Sequence, residues 1–330
     1  MNSPENGISV IVCCYNSSSR LPDTIKYLVQ QHVESGFEWE IIIVDNASTD
    51  ATKRVANEEL GKTINIDYRI IEEQKKGLAS ARERGIEESK HGIIIFCDDD
   101  NHLEPDYLEK VRSVMMERPE VGIAGGLIKP KLAYYPGKWI EAMYTAMGIG
   151  AMRNEDGYAD WVFGAGMVIR KQIFKELRDR NIKFILSDRT GSKQTAGGDS
   201  EWCELTKYIG YKIYYSSSLV LYHYMQAHRL KKSFFFKGYS SVYASVYLWV
   251  LALLVNSKLK ADRNYLYKTF LIKKVSAIFY YVPRIFFGRY KFFSFLSCYQ
   301  AMLILGWLLI RKKRFDKLYQ TIVTNLGTSS

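Results

Sequence analysis

Three consecutive carboxylates, Asp98-Asp99-Asp100, close the apolar run Gly92–Cys97 and are followed by Asn101. Like charges so close together repel and cost stability unless a cation or hydrogen-bond donor offsets them. Asp98 and Asp100 fall on the same side of an extended segment and offer hard oxygen ligands suited to Mg²⁺ or Mn²⁺. Such an ion usually completes its shell with water and phosphate oxygens, which points to a nucleotide. The same residues also suit a turn ahead of a helix beginning at Pro105, so the triplet alone leaves both readings open. A calcium loop is excluded, because Leu103 stands where the sharp-turn glycine is required.

Two glycine-containing segments carry the other candidates. Phe163-Gly164-Ala165-Gly166 either lets backbone approach a ligand closely or turns the chain into a strand. In Gly197-Gly198-Asp199-Ser200-Glu201-Trp202, Asp199 either takes a proton from an acceptor hydroxyl or caps the following helix while Glu201 offsets its dipole. His223, at the end of an aromatic strand, is a ligand or a packed core histidine. A Gly-x-Gly-x-x-Gly dinucleotide loop and a Gly-x-x-x-x-Gly-Lys phosphate loop are both missing after the first strand. Nothing resembles a Ser-His-Asp or Cys-His nucleophile.

The elements that must position these residues alternate. Strands are expected at Ile8–Cys13, Glu40–Val44, Tyr68–Ile71 and Gly92–Cys97, and helices at Leu21–His32, Thr49–Leu60, Leu78–Ser89 and Pro105–Glu117. The strands are continuous apolar runs, as required when helices cover both faces of a parallel sheet. That pattern predicts a doubly wound α/β sheet, with ligands beyond the carboxyl ends of its strands. Tyr15-Asn16, Asp45-Asn46 and Asp98–Asn101 all fall at such ends. Further on come strand-like Val121–Ile128 and Gly166–Arg170, a helix near Asp199–Ile209, and strands at Lys212–Tyr215 and Leu219–His223.

The chain has 330 residues, 47% of them hydrophobic, enough for about two domains and a core without disulfides. Its net charge of +11 is unevenly split. From Gln226 to the end there are 18 basic residues and 2 acidic ones, net +16, against 28 and 33, net −5, over residues 1–225. We therefore expect a domain over 1–225 followed by a basic, apolar, mainly helical region over 226–330. The five cysteines include no Cys-x-x-Cys pair and fit a reducing cytosol. The first seven residues carry no basic leader, so the amino-terminal part is expected to face the cytoplasm.

Taken in order, these motifs resemble family 2 glycosyltransferases of the GT-A fold, over about Ile8 to Arg229. Ile8–Asn16 resembles the family's opening strand, with Cys13-Cys14 in place of its usual Pro-Thr, and Glu40–Asp50 resembles its second motif. Gly77–Gly85 is similar to the helix before the metal site, and Asp98-Asp99-Asp100 to the Asp-x-Asp motif. Gly164–Gly166 resembles the acceptor-side glycine segment. Gly198–Glu201 resembles the catalytic-base motif, with Gly198 where the family usually has Glu. Tyr222-His223 followed by Arg229 resembles a later histidine and basic residue of bacterial members.

The resemblance implies an inverting transfer of a sugar from a nucleoside-diphosphate donor, with a UDP-sugar favoured, to an acceptor hydroxyl. Asp199 would be the base. Tyr15, Asn16, Asp45, Asp98 and Asp99 would hold the nucleotide and donor, and Asp100 and His223 would hold Mn²⁺ or Mg²⁺. Gly164, Ala165, Gly166, Glu201 and Trp202 would face the acceptor, a saccharide or lipid-linked saccharide of bacterial surface-polysaccharide assembly. A sugar nucleotidyltransferase would need a glycine-rich loop after the first strand, where this chain has Tyr15-Asn16-Ser17-Ser18-Ser19-Arg20. A catalytically silent nucleotide-binding or scaffold protein is the other alternative, prompted by Gly198.

The uncharged runs Gly238–Ser257 and Phe292–Ile310 contain 20 and 19 residues, close to a membrane span. If both crossed, the stretch between them would carry nine basic residues and one acid to the outside, against the positive-inside tendency. The expectation is instead that these helices lie in the cytoplasmic leaflet, with Lys and Arg on anionic lipid. Nucleic acid is not expected as a partner, since the basic residues are interleaved with apolar runs and not laid along a polar face.

Overall fold

The computed structural model describes residues 7–63, 66–186, 197–238, 242–258 and 260–327. Residues 1–6, which bear on the leader, and residues 239–241 of the first uncharged run lie outside the described residues. The first half alternates β1 (Ile8–Cys14), α1 (Leu21–Val29), β2 (Trp39–Asp45), α2 (Thr52–Leu60), β3 (Asp67–Glu72), α3 (Leu78–Glu88) and β4 (Ile93–Asp98). Then come β5 (Asn101–Leu103), α4 (Tyr107–Glu117), β6 (Val121–Leu132), β7 (Gly157–Ala159), β8 (Met167–Arg170), α5 (Gln172–Asp179), α6 (Gly198–Tyr208) and β9 (Lys212–Met225).

The strands form one mixed sheet in the order β3-β2-β1-β4-β8-β6-β9-β5, with β7 paired to β9. The first four in that order are parallel, whereas β8 runs antiparallel to both its neighbours, β4 and β6. Chain order reverses between β1 and β4, and that is where such a sheet opens a crevice at its carboxyl edge. In register, Cys13 sits beside Asp98 and Cys14 beside Asp45, so three strand ends meet there. The continuous apolar runs are explained by burial on both faces. Ile8, Val10 and Val12 pack against α1 and α4, and Ile11 packs in a second layer with α3, α5 and α6.

Two expectations about elements are corrected. Helix α4 starts at Tyr107, because the Pro105 carbonyl is engaged by the His32 N–H at 2.7 Å. The two strands expected between Lys212 and His223 are one, β9, whose register against β6 shifts between Gly126 and Leu127. Asp156 fills that irregularity by accepting from the Ser216 hydroxyl and the Ser217 N–H.

After β9 the chain is helical: α7 (Lys232–Gly238), α8 (Val242–Asn256), α9 (Arg263–Phe287), α10 (Lys291–Ile310) and α11 (Lys312–Asn325). The core does not stop at Met225. Val246, Tyr247, Val250, Leu251 and Leu254 of α8 are buried in the same layer as Trp202 and Leu205 of α6. The run Gly238–Ser257 therefore contributes a 15-residue core helix, shorter than a span. Among the described residues, α10 is the one helix long and apolar enough to cross a membrane by length and composition, with 33% of its apolar window buried. Along α9, Ile272, Val275, Phe279, Val282 and Phe286 recur every three or four residues and are all exposed, Phe279 to 76%. Phe295, Met302 and Leu309 form a similar exposed stripe on α10, which packs against α9.

Candidate active site

A cleft of about 590 Å³ opens over the carboxyl ends of β1 and β4. One wall comes from the first hundred residues: Cys13, Cys14, Tyr15, Arg20, Asn46, Lys76–Leu78, Ala81, Arg82 and Asp98–Asp100. His223 and Arg229 join this wall through Asp100, and the other comes from Thr145–Gly148, Trp161, Phe163–Ala165, Gly197, Asp199, Ser200, Phe234 and Leu248. The last two belong to the helical C-terminal part.

The acidic triplet is tolerated because cations answer two of its members. Arg20 grips Asp99 with both ends of its fork, Nε to Oδ1 at 2.8 Å and Nη2 to Oδ2 at 2.6 Å, and Ser17 Oγ donates to the same carboxylate. Burial pushes the Asp99 carboxyl upward, and Arg20 opposes it. Asp100 is equally buried, but His223 and Arg229 outweigh that desolvation and hold its carboxyl well below the usual range. His223 Nε2 lies 3.3 Å from Asp100 Oδ1, and Arg229 Nη1 donates to Oδ2 at 3.0 Å. The sheet itself makes this meeting: Asn101 of β5 pairs with His223 of β9, and the Tyr224 N–H donates to the Asp100 carbonyl at 2.8 Å. Asp98 ends β4 half-buried on the cleft wall.

On the opposite wall, Asp199 stands in the first turn of α6, after Gly197 at φ +124°. Its Oδ2 accepts the Gly164 N–H at 3.0 Å. A Cβ on Gly164 would lie 3.1 Å from both Cβ and Oδ2 of Asp199, so a larger residue here would require Asp199 to shift. The Arg82 guanidinium rests against the Phe96 and Trp202 rings, 5.5 and 5.1 Å from their centroids, and the two rings themselves pack 4.9 Å apart. That contact retains a buried cation beside the carboxylate side of the cleft.

Of the residues expected from sequence, Tyr15, Asp98, Asp99, Asp100, Gly164, Ala165, Asp199 and His223 line this one cleft. Asn16, Asp45, Gly166, Glu201 and Trp202 do not. Asn16 ties two loops together by accepting the Thr49 N–H, and Asp45 accepts the Ser48 N–H while its carbonyl anchors Glu73. Gly166, at φ +68°, turns the chain so that its carbonyl accepts the Tyr107 hydroxyl. Trp202 packs against Phe96, Phe174 and Phe184. Glu201 is fully buried among donors from other segments.

Sequence reasoning missed Arg20 and Arg82. The signal for Arg20 was present, since a buried acidic triplet demands a cation. Among the described residues, no group of three or more His, Cys, Asp or Glu side chains gathers around one point. The Asp100–His223 pair is nonetheless close enough to share one ion, and the buried His223 Nδ1 has no hydrogen-bond partner. One carboxylate and one imidazole suit a hard or borderline divalent ion that draws its remaining ligands from phosphate.

Known proteins resemble this chain in sequence and in fold. The model of the family described as glycosyl transferase family 2 matches residues 9–178. The putative teichuronic acid biosynthesis glycosyltransferase TuaG of Bacillus subtilis is 34% identical over 113 residues, 34% of this chain and 42% of that protein. Glycosyltransferase AglE of Haloferax volcanii is 23% identical over 213 residues, 64% of this chain and 65% of that protein. The chain thus spans less than half the length of TuaG and just under two thirds of AglE. Crystal structures of S. aureus TarS 1–349 share the fold, with a TM-score of 0.55 at 14% identity over 97% of this chain and 92% of that one. Another, in complex with UDP-GlcNAc, covers 97% and 80% at the same TM-score.

Proposed function

This chain belongs to glycosyl transferase family 2, and from that premise we propose that it moves a sugar from a nucleoside-diphosphate donor to an acceptor hydroxyl, inverting the sugar carbon. The observation that carries the reading is one cleft with two chemically distinct walls. Arg20, His223 and Arg229 cluster with three carboxylates on one side, and Asp199 faces them from a helix start on the other. Tyr15, 43% exposed at the cleft, offers its ring to the nucleobase. Asp199 removes the proton of the acceptor hydroxyl as its oxygen attacks the donor's anomeric carbon. Gly164 fixes the carboxylate by its N–H. Arg229 and Arg20 place positive charge where negative charge grows on the departing diphosphate. Asp100 and His223 would hold a divalent ion, Mn²⁺ or Mg²⁺, which when bound supplies further charge neutralisation to that leaving group.

The donor is read as a UDP-sugar, supported by the shared fold with TarS, whose structure was determined in complex with UDP-GlcNAc. The acceptor is read as a lipid-linked saccharide of bacterial surface-polysaccharide assembly. Phe234 and Leu248 bring the apolar C-terminal helices to the cleft, and TuaG is described as acting in teichuronic acid biosynthesis. The exposed apolar stripe of α9, beside basic residues and without acids, suits the anionic cytoplasmic leaflet.

The test is incubation with a panel of nucleotide sugars, with Mn²⁺ and with excess EDTA, scoring released nucleoside diphosphate and transferred sugar. Asp199→Asn is expected to lower kcat by about 10²–10⁴ with donor affinity little changed, and Asp100→Ala to abolish metal-dependent nucleotide binding. Full turnover in EDTA would remove the metal. A wild type inert to every donor favours the silent nucleotide-binding alternative.

A further inference from the structure

Glu201 has no access to the cleft, yet its carboxylate is the meeting point of three segments. Its Oε1 accepts the Ile185 N–H at 2.8 Å and the Tyr247 hydroxyl at 2.5 Å, and its Oε2 accepts the Leu186 N–H at 3.0 Å. Both Glu201 and Tyr247 are 0% exposed. A buried carboxylate persists only when donors answer it. These donors come from residues 185–186, which lie outside any helix or strand, and from α8, far away in sequence.

The same segments box in the turn that delivers Asp199. A Cβ on Gly197 would lie 2.8 Å from Leu248 Cδ1 and 3.3 Å from Leu186 Cδ1. Leu186 is itself a residue bonded to Glu201, and Leu248 follows Tyr247. Gly197 and Gly198 have no side chain with which to hold this turn, and Gly197 sits at φ +124°. Residues 198 and 201 lie on one face of α6, a turn apart. Glu201 thus ties the first turn of α6 to the same two segments that box in Gly197.

We propose that Glu201 is a positioning residue that makes the orientation of Asp199 depend on the docking of α8, so that the C-terminal helical part sets the base as well as lining the cleft. The proposal rests on the reading of Asp199 as the base. It assigns the Tyr247–Glu201 bond a kinetic role.

The test uses the full chain. Tyr247→Phe removes one hydroxyl and keeps the ring in the core, and Glu201→Gln is its harsher counterpart, at greater risk of misfolding. Transfer, donor hydrolysis in the absence of acceptor, and donor affinity are measured per folded molecule, in wild-type and Asp199→Asn backgrounds. Tyr247→Phe is expected to lower kcat for transfer on the order of tenfold, as a small misplacement of a reacting group does, with donor affinity unchanged. In the Asp199→Asn background it is expected to add nothing, because there is no base left to misplace. Wild-type transfer by Tyr247→Phe overturns the proposal, and so do equal losses in both backgrounds, which is the pattern of a merely structural bond. An Asp199→Asn variant with undiminished transfer overturns the reading of the base itself, a different failure recognised by that single variant.

Discussion

Gly164→Ala separates the chemistry of the cleft from its stability. The added Cβ would sit 3.1 Å from Cβ and Oδ2 of Asp199, where unstrained carbon contacts lie at about 3.5–4.0 Å. Something must give by roughly 0.4 Å, and Asp199, half-buried at the start of α6, is the side chain in the way. A misplacement of about 1 Å costs on the order of 10² in rate, so a few tenths should cost roughly fivefold. Stability moves much less. Replacing glycine narrows the unfolded ensemble by about 0.4–1 kcal/mol, whereas crowding by one methyl costs about 1–3 kcal/mol. The net loss is about 0–2.6 kcal/mol, a few degrees in Tm for a chain of this size. The assay is kcat for transfer beside donor affinity and a thermal melt. Wild-type kcat in a folded Gly164→Ala variant, or an equal fall in acceptor-free donor hydrolysis, would refute the reasoning that places Gly164 against the base.

Arg20→Met leaves the buried Asp99 carboxylate without its fork and should cost about 3–5 kcal/mol by urea unfolding, with Arg20→Met/Asp99→Asn recovering much of it. That cost should shrink toward pH 5, because burial already pushes the Asp99 carboxyl up and a proton can replace the lost cation. His102 is buried against Tyr27, with burial and then Lys131 lowering it to about 4. The unfolded chain binds this proton near pH 6.5 and the folded one only near 4, so stability rises with pH across that window, by at most about 3 kcal/mol. His102→Phe, which keeps the stack, should remove this part of the slope in denaturant titrations between pH 4.5 and 7. Phe279→Glu/Phe286→Glu should lower cosedimentation with anionic vesicles by about 10²-fold while leaving the melt unchanged; undiminished binding would exclude the α9 stripe as the contact.

The fold was legible because its strands are buried on both faces. Runs such as Ile41–Val44 and Ile93–Cys97 carry the continuous apolar pattern of strands buried on both faces. The acidic triplet and Asp199 were legible as chemistry, since neither suits a core. What the sequence hid depends on distant segments meeting. His223 joins Asp100 only through the pairing of β5 with β9, and Glu201 turns inward to meet the Ile185 and Leu186 N–H groups and the Tyr247 hydroxyl. The uncharged run Gly238–Ser257 misled in the same way: an apolar helix facing a protein core and one facing lipid have the same composition, and only the packing of α8 on α6 distinguishes them. Asp45 stands at a strand end by the crevice, where its carboxylate accepts the Ser48 N–H.

The five thiols offer a consequence of a practical kind. None is in a disulfide, and Cys14, Cys97, Cys203 and Cys298 are buried, whereas Cys13 is partly accessible on the cleft wall. Reaction with an alkylating reagent follows access, so under native conditions Cys13 is the position a small maleimide should find first. Its neighbours Tyr15 and Asp98 are those that a bound donor would cover. The unmodified protein therefore carries its own occupancy gauge: the rate of labelling at Cys13, followed by mass spectrometry, reports whether the nucleotide end of the cleft is filled, with no tag or engineered cysteine.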